Sequence, residues 1–78
     1  MSGVCAYVII EVEGGDTTNA VRKISEIEGV KQAHGLFGTV EAIAFVEASD
    51  LSALEKVVMK FRDVPGVKST DTRIARIV

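Results

Sequence analysis

The sequence has few of the residues from which most catalytic and metal sites are built. Its 78 residues include one cysteine, one histidine, one proline and no tryptophan. Cys5 cannot form a disulfide within the chain, and Cys5 with His34 falls short of the roughly four good ligands of a closed zinc site. Catalysis of the Ser-His-Asp or Cys-His type would depend on His34 alone. We therefore expect a chain that is not an enzyme and that uses no metal or cofactor.

Strong charge of either sign is also missing. Nine basic and eleven acidic residues are interspersed along the chain, and aromatic residues make up 5% of it. A nucleic-acid-binding protein usually carries a basic stripe or stacking aromatic side chains, so we expect no direct contact with nucleic acid. The longest apolar run, Val4 to Ile10, is far shorter than the roughly 20 residues of a membrane helix. With no basic leader and a single thiol, the sequence predicts a cytoplasmic protein.

Apolar residues, in contrast, are abundant for so short a chain. They make up 47% of it, and the mean hydropathy is +0.29. We expect a single domain spanning residues 1–78. A core of this size rarely supplies more than roughly 3–5 kcal/mol unless something reinforces it. Because disulfides and metals are excluded, oligomerisation is the expected reinforcement.

Hydrophobic periodicity divides the chain into four strands and two helices. Gly14-Gly15 ends the first strand, Asp16 or Thr17 begins the first helix, and Ser49-Asp50 begins the second, which Pro65 prevents from continuing. The predicted strands are Val4–Val12, Val30–Phe37, Val40–Ala48 and Val67–Val78, and the predicted helices are Thr18–Ile27 and a segment from Leu51 to Phe61.

An internal repeat supports this order. Residues 21–31 match residues 58–68 at a constant offset, and the Gly-Val-Lys corner recurs at Gly29 and Gly66. Two similar halves of β-α-β form predict an α+β fold, the ferredoxin-like βαββαβ sandwich. Its four-stranded antiparallel sheet carries both helices on one face, with strands one and three in the centre.

The second face of that sheet has no predicted cover. The first strand is apolar on both faces, and the third presents Ile43 and Phe45 on one and small apolar residues on the other. Monomers rarely expose an apolar patch of this size. The pattern therefore predicts a homodimer formed sheet to sheet, as in dimeric α/β-barrel proteins, with a larger ring as an extension.

Individual polar residues admit both structural and functional readings. Glu41 interrupts an apolar strand, so it is solvated, paired or presented to a ligand. The hydroxyls of Ser69, Thr70 and Thr72 are ordinary in a strand and also suit a small zwitterion. We interpret Cys5 as a small core residue, and His34 as a surface or interface histidine.

From end to end the chain resembles a stand-alone effector domain of the Lrp/AsnC type, also called a RAM domain, without the helix-turn-helix that binds DNA. The resemblance is carried by Ala6-Tyr7-Val8, by the corner Gly29-Val30-Lys31, by Gly38-x-x-Glu41 and by Val64-Pro65-Gly66-Val67 followed by Ser69-Thr70-x-Thr72. It implies the same fold, dimers formed through the sheets and rings of dimers such as octamers or decamers.

The resemblance also implies a ligand site for a small effector, usually an amino acid, between dimers. The residues that it assigns to this site are Gly38, Thr39, Val40, Glu41, Thr70 and Thr72. Backbone amides of the loop would meet the effector's carboxylate, and Glu41 would stand near its amino group. Family members most often have an aromatic residue and Asp where this chain has Val40 and Glu41.

The resulting hypothesis is a non-enzymatic regulatory module that binds an amino acid and modulates full-length Lrp/AsnC-type transcription regulators without binding DNA itself. Three alternatives stay open from the residues alone. They are an ACT-like amino-acid sensor, a purely structural oligomerisation module and a small dimeric α/β-barrel enzyme.

Overall fold

The computed structural model describes residues 3–37 and 41–75, which form four strands and two helices. In chain order they are β1 (Val4–Val12), α1 (Thr17–Ser25), β2 (Val30–Gly35), β3 (Ala42–Ala48), α2 (Leu51–Phe61) and β4 (Val67–Ala75). The predicted order of elements is confirmed, and the bounds of β1 agree with the prediction. Neither helix in the described ranges has the length and apolarity needed to cross a membrane.

The four strands form one antiparallel sheet in the order β2-β3-β1-β4. β1 and β3 are central and pair through seven residue pairs, from Val4 opposite Ala48 to Ile10 opposite Ala42. β2 and β4 form the two edges, β2 against β3 and β4 against β1. The βαββαβ prediction is therefore confirmed.

The core lies between the two helices and one face of this sheet. Alternate residues of the central strands are buried there, because successive side chains of a strand point to opposite faces. The small side chains of Ala42 and Ala44 let the helices approach closely, and Ile24 of α1 and Phe61 of α2 are fully buried. The buried residues are Ala6, Val8, Ile10, Ala20, Ile24, Ala42, Ala44, Val46, Leu54, Phe61 and Val64.

Each helix begins at an aspartate that caps its first turn. The carboxylate of Asp16 accepts a hydrogen bond from the Asn19 amide at 3.3 Å, and that of Asp50 accepts one from the Ala53 amide at 2.8 Å. Both bonds satisfy amides that have no partner within the helix. The predicted capping sites are confirmed.

The internal repeat is visible in the backbone of both halves. Gly29 and Gly66 have φ angles of +101° and +93°, a region that L side chains avoid. The Gly29 carbonyl accepts from the Glu47 amide at 2.9 Å, and the Gly66 carbonyl accepts from the Glu13 amide at 2.7 Å. A lysine forms a β-bulge just after each corner, Lys31 in β2 and Lys68 in β4. The pairing register shifts at both lysines.

Four boundaries differ from the sequence prediction, and the predicted end of β4 at Val78 lies outside the described residues. α1 starts at Thr17 rather than Thr18, directly after the capping Asp16. α1 ends at Ser25 rather than Ile27, because the Ile27 amide turns to the carbonyl three residues back, on Ile24, at 3.0 Å. β2 ends at Gly35 rather than Phe37, and β3 starts at Ala42. The link between them is held by the Leu36 amide, which donates to the Glu41 carbonyl at 2.7 Å.

Candidate functional site

The face of the sheet opposite the helices forms an apolar surface, which we call the open face. Its centre consists of Tyr7 and Ile9 of β1 beside Ile43 and Phe45 of β3, in direct register. Tyr7 is 47% exposed, and the other three are half-buried. The rings of Tyr7 and Phe45 pack with centroids 5.0 Å apart and a tilt of 51°. The predicted uncovered face is therefore present in the chain.

Polar side chains surround this apolar centre. Register places Glu11, Gln32, His34, Glu47, Asp71 and Arg73 around it. Asp71 and Arg73 form an ion pair at 2.9 Å. The hydrogen bond from the Arg73 guanidinium lowers the pKa of the Asp71 carboxyl, and the positive charge of Arg73 adds to this effect. An apolar centre inside a polar rim is the usual anatomy of a protein interface.

The single cysteine and the single histidine also lie on this side of the sheet. Cys5 is half-buried and shares the face of Tyr7, so it does not belong to the core between helices and sheet that we predicted for it. Its register partners are Glu47 and Ala75. His34 is exposed on the edge strand β2, as predicted. Within residues 3–37 and 41–75, no three His, Cys, Asp or Glu side chains come together as metal ligands.

The predicted ligand loop is only partly described. Gly38, Thr39 and Val40 lie outside the described residues, whereas Glu41 is half-buried and directly precedes β3. Its Oε1 accepts a hydrogen bond from the Val12 amide at 3.0 Å. The last residue pair between β1 and β3 is Ile10 with Ala42, so the Glu41 side chain binds a β1 amide just beyond the paired ladder. Of the three possibilities for Glu41, which were a solvated, a paired or a ligand-facing carboxylate, the structure shows a carboxylate paired with a backbone amide of the same chain.

Thr70 and Thr72, the other two predicted ligand residues, lie on the helix-facing side of β4. They are half-buried and line two adjoining cavities, whose linings share Arg62. Neither cavity includes Glu41. Thr70 and Ala42 flank Ile10 from opposite sides, so their backbones are about 10 Å apart at a strand spacing of about 4.8 Å. One chain therefore places Glu41 and Thr70 at the same end of the sheet, and neither of these two cavities joins them.

Sequence reasoning assigned no role to two residues at these positions. Arg62, the C-terminal cap of α2, lies beside both threonines. Phe37 is fully exposed just before the predicted ligand loop. An aromatic residue between two turn glycines was the available signal for Phe37. No local signal marked Arg62, because its neighbourhood depends on how α2 lies across the sheet.

Comparison with known proteins identifies one family. The model of the Lrp/AsnC ligand binding domain matches residues 5–76. The solved structure of FFRP-DM1 is 27% identical, with a TM-score of 0.85, and the match covers 94% of this chain and 99% of that one.

Two longer proteins share the fold, and the second of them is a transcriptional regulator. AsnC of E. coli has a TM-score of 0.86 at 22% identity, and the match covers 96% of this chain and 52% of AsnC. A regulator from Neisseria meningitidis, solved as a complex with L-Met, has a TM-score of 0.80 at 13% identity over 95% of this chain and 50% of that one. At these identities the likeness extends to the fold alone.

An enzyme also contains a segment similar to this chain. Homocitrate synthase of Sulfolobus acidocaldarius is 38% identical over 58 residues, which are 74% of this chain and 12% of that enzyme. The chain thus spans only a small part of the curated relatives that it matches.

Proposed function

Since the chain belongs to the Lrp/AsnC ligand-binding domain family, we propose that it is a non-enzymatic regulatory module that assembles with copies of itself and binds a small amino acid. The observation that carries this proposal is the match of the family model to residues 5–76. We also propose a cytoplasmic location, because the chain has a single cysteine and the reducing cytoplasm keeps such thiols free.

The open face supports the assembly part of the proposal. A standard interface buries about 800 Å² per partner. If roughly 60% of that area is apolar, its burial at about 25 cal/mol per Å² contributes on the order of 20 kcal/mol. Association costs roughly 4–15 kcal/mol, and side-chain ordering and polar desolvation cost more, so only the surplus of this burial appears as affinity. Tyr7, Ile9, Ile43 and Phe45 would form the buried centre of a sheet-to-sheet homodimer.

The hairpin after β2 supports the ligand part of the proposal. Fully exposed Phe37 and half-buried Glu41 flank residues 38–40, and Gly38 with Glu41 forms the family-like Gly-x-x-Glu pattern. Glu41 accepts a hydrogen bond from the Val12 amide through Oε1, and among the described residues no hydrogen bond engages its second carboxylate oxygen, which in this proposal receives the effector's amino group. A second dimer packing on Phe37 would close the site between dimers, and rings of dimers would follow.

An amino acid is the ligand class that the relatives favour. The Neisseria meningitidis regulator of the same fold was solved with L-Met. A carboxylate for the ammonium group and loop amides for the carboxylate suit any small zwitterion. In this proposal the effector changes the assembly, and mixed assemblies with full-length Lrp/AsnC regulators carry that change to DNA.

The homocitrate synthase match favours a second candidate function. In that enzyme the similar segment is about an eighth of the chain. A domain of this family can therefore also accompany an enzyme, where effector binding would regulate catalysis instead of transcription. Both candidates share the effector site and differ in the partner that responds.

Native mass spectrometry and calorimetry with each of the common amino acids test the proposal. We expect dimers or larger even-numbered assemblies, and heat of binding for at least one amino acid. Glu41→Gln keeps an oxygen that can accept from the Val12 amide but removes the charge. It should weaken effector binding roughly tenfold or more without changing the subunit count.

Two further variants separate the effector site from the fold. Gly38→Val should abolish effector binding and leave the dimer intact, and Glu47→Gln, which removes a carboxylate on the rim of the open face, should leave effector affinity unchanged. Monomers that bind no amino acid would refute the proposal. Equal losses from Glu41→Gln and Glu47→Gln would remove Glu41 from the site.

A further inference from the structure

Large apolar side chains are exposed at three places among the described residues. Tyr7 belongs to the open face, which the proposed homodimer covers. The others form two groups outside that face, one after the end of β2 and one between α2 and β4. The exposed large apolar residues are Tyr7, Leu36, Phe37, Leu51, Met59 and Ile74. Burial of the open face therefore leaves two apolar surfaces to be explained.

The first surface is the pair Leu36 and Phe37, which we call the hairpin tip. Leu36 is 42% exposed and Phe37 is fully exposed, just beyond the end of β2 at Gly35. The Leu36 amide donates to the Glu41 carbonyl at 2.7 Å, which ties the tip to the start of β3. A phenylalanine buries roughly 150–250 Å² when it is covered, so the tip is a large apolar group that its own chain does not cover.

The second surface is a cavity of about 550 Å³ between α2 and β4, which we call the α2–β4 pocket. Leu51 and Met59 line it on the helix and Ile74 lines it on the strand, at 52%, 64% and 58% exposure. Leu54 and Val58, which pack in or against the core, line it as well. Methionine adapts its shape and makes favourable contacts with aromatic rings. The lining therefore suits an apolar side chain, and an aromatic ring in particular.

The pocket opens on the helix side of the sheet. Thr72 and Ile74 of its lining lie opposite Val8 and Ala6, which are fully buried beneath the helices. α2 packs mainly over β3 and β1 and makes little contact with β4, so this side of β4 is left uncovered by its own helix. An occupant contacts side chains here and needs no free backbone edge on β4. The edges of two sheets can therefore pair within the dimer while the pocket is filled.

A chain cannot fill its own pocket with its own hairpin tip. β2 and β4 are opposite edges of the sheet, with β3 and β1 between them. Three strand spacings of about 4.8 Å separate the two edges by roughly 14 Å. The tip that fits the pocket must come from another copy of the chain. Such a contact joins two different surfaces and is heterologous, which generates a ring where the rotation closes.

The size of the contact decides which level of assembly it serves. One phenylalanine contributes roughly 150–250 Å², and a standard interface buries about 800 Å² per partner. The contact is therefore too small to hold two chains together alone. It suits the joining of dimers that already exist, because every dimer carries two tips and two pockets, and linked contacts reinforce one another.

We propose that Phe37 of one dimer occupies the α2–β4 pocket of a neighbouring dimer and so joins dimers into a ring. This inference rests on the sheet-to-sheet dimer of the proposed function and names the surface that the neighbouring dimer presents. The ring of Phe37 lies among Leu51, Met59 and Ile74 of the neighbour. Because the tip is bonded to Glu41, this contact also sets the neighbouring dimer beside the proposed effector site.

Native mass spectrometry and sedimentation velocity over a range of protein concentrations test the inference. We expect the unaltered protein to form assemblies larger than dimers. Phe37→Ala removes the tip and Met59→Glu places a charge in the pocket. Each should raise the concentration needed for the larger assemblies at least roughly tenfold and leave dimers. The matched control is Lys60→Glu, because Lys60 is exposed beside Met59 and outside the pocket lining.

Mixing the two variants separates this contact from any loss of folding. Phe37→Ala dimers keep intact pockets, and Met59→Glu dimers keep intact tips. Each variant alone lacks one partner of the contact, whereas the mixture contains both. We therefore expect the mixture to recover part of the larger assemblies at concentrations where each variant alone is dimeric.

Four results would overturn the inference. They are unaltered protein that stays dimeric at every concentration, monomers from Phe37→Ala or Met59→Glu, equal losses from Lys60→Glu and Met59→Glu, and a mixture no larger than its components. The first of these leaves the sheet-to-sheet dimer standing, whereas monomers of the unaltered protein would refute the proposed dimer as well. Absence of heat with every amino acid would count against the effector site alone.

Discussion

The two halves of the molecule share one design and differ in how far each helix covers its edge strand. Both have an aspartate cap, a glycine corner at positive φ and a lysine bulge at the start of the edge strand. On the β2 side, Val30 and Ala33 pack against the core, whereas β4 contributes only Val67 within the described residues. Farther along, β4 presents threonines and the exposed Ile74.

This difference shows what the repeated motif determines. The corner fixes where the edge strand starts and how it leaves the helix. Coverage of the rest of the strand depends on side chains, because a helix packs where apolar surface can be buried. Threonines on β4 give α2 little to cover, so α2 lies over the small residues of β3 and makes little contact with β4.

The largest expected effect tests the two corners against each other. A Cβ on Gly29 would lie 2.9 Å from Cγ2 of Val57, whereas a Cβ on Gly66 would come no closer than 3.6 Å to its nearest neighbour. Both substitutions by alanine force a residue with a side chain into the left-handed region, at about 1–2 kcal/mol. Gly29→Ala adds a clash of roughly 1–3 kcal/mol. We expect it to lower the free energy of unfolding more than Gly66→Ala in urea titrations.

A second-site variant shows whether the clash is the cause. In a Val57→Ala background, the additional cost of Gly29→Ala should fall to about that of Gly66→Ala, because the contacting methyl groups are gone. Equal costs of the two glycine substitutions in the unaltered chain would mean that the α1–β2 corner is no more tightly packed than its counterpart.

The next effect compares the two helix caps. Replacing a capping aspartate by alanine costs about 0.5–2 kcal/mol. The Asp50 bond is 2.8 Å long, and the Asp16 bond, at 3.3 Å, is at the long limit for such a bond. Asp50→Ala should therefore lower the free energy of unfolding more than Asp16→Ala. Asparagine at either position keeps a capping oxygen and should recover most of the loss; a larger cost at Asp16 would contradict the geometry.

Sequence reasoning predicted the features that depend on neighbouring residues. Both caps, both glycine corners and the extent of β1 follow from local chemistry, and the repeat then sets the topology. The alternating pattern of β1 and β3 also predicted the open face. These predictions agree with the structure because each feature depends only on residue type and spacing.

Features that depend on contacts across the sheet were less accessible. The bond from the Val12 amide to Glu41 joins residues 29 apart in sequence and needs the register of β1 with β3. Cys5 was expected in the core because its strand is apolar on both faces, and only the position of the helices decides which face they cover. Gly38, Thr39 and Val40 lie outside the described residues, so their assignment to the site stays a prediction.

The smallest effect concerns the ion pair between Asp71 and Arg73, which β4 carries on the open face. The other edge strand, β2, has Gln32 and His34 on that face instead. The hydrogen bond from Arg73 lowers the pKa of Asp71. In Arg73→Ala, nuclear magnetic resonance titration of the carboxyl carbon should show this pKa rising toward its ordinary value of about 3.9.

Because the folded-state pKa is lowered, the pair stabilises the fold above the unfolded-state pKa, and this contribution is lost as pH falls through the folded-state value. Both groups are exposed, so the unfolding midpoint near neutral pH should hardly change. Arg22→Ala on α1 is the control, and an equal rise of the Asp71 pKa in that variant would show that net charge, rather than the pair, holds the pKa down.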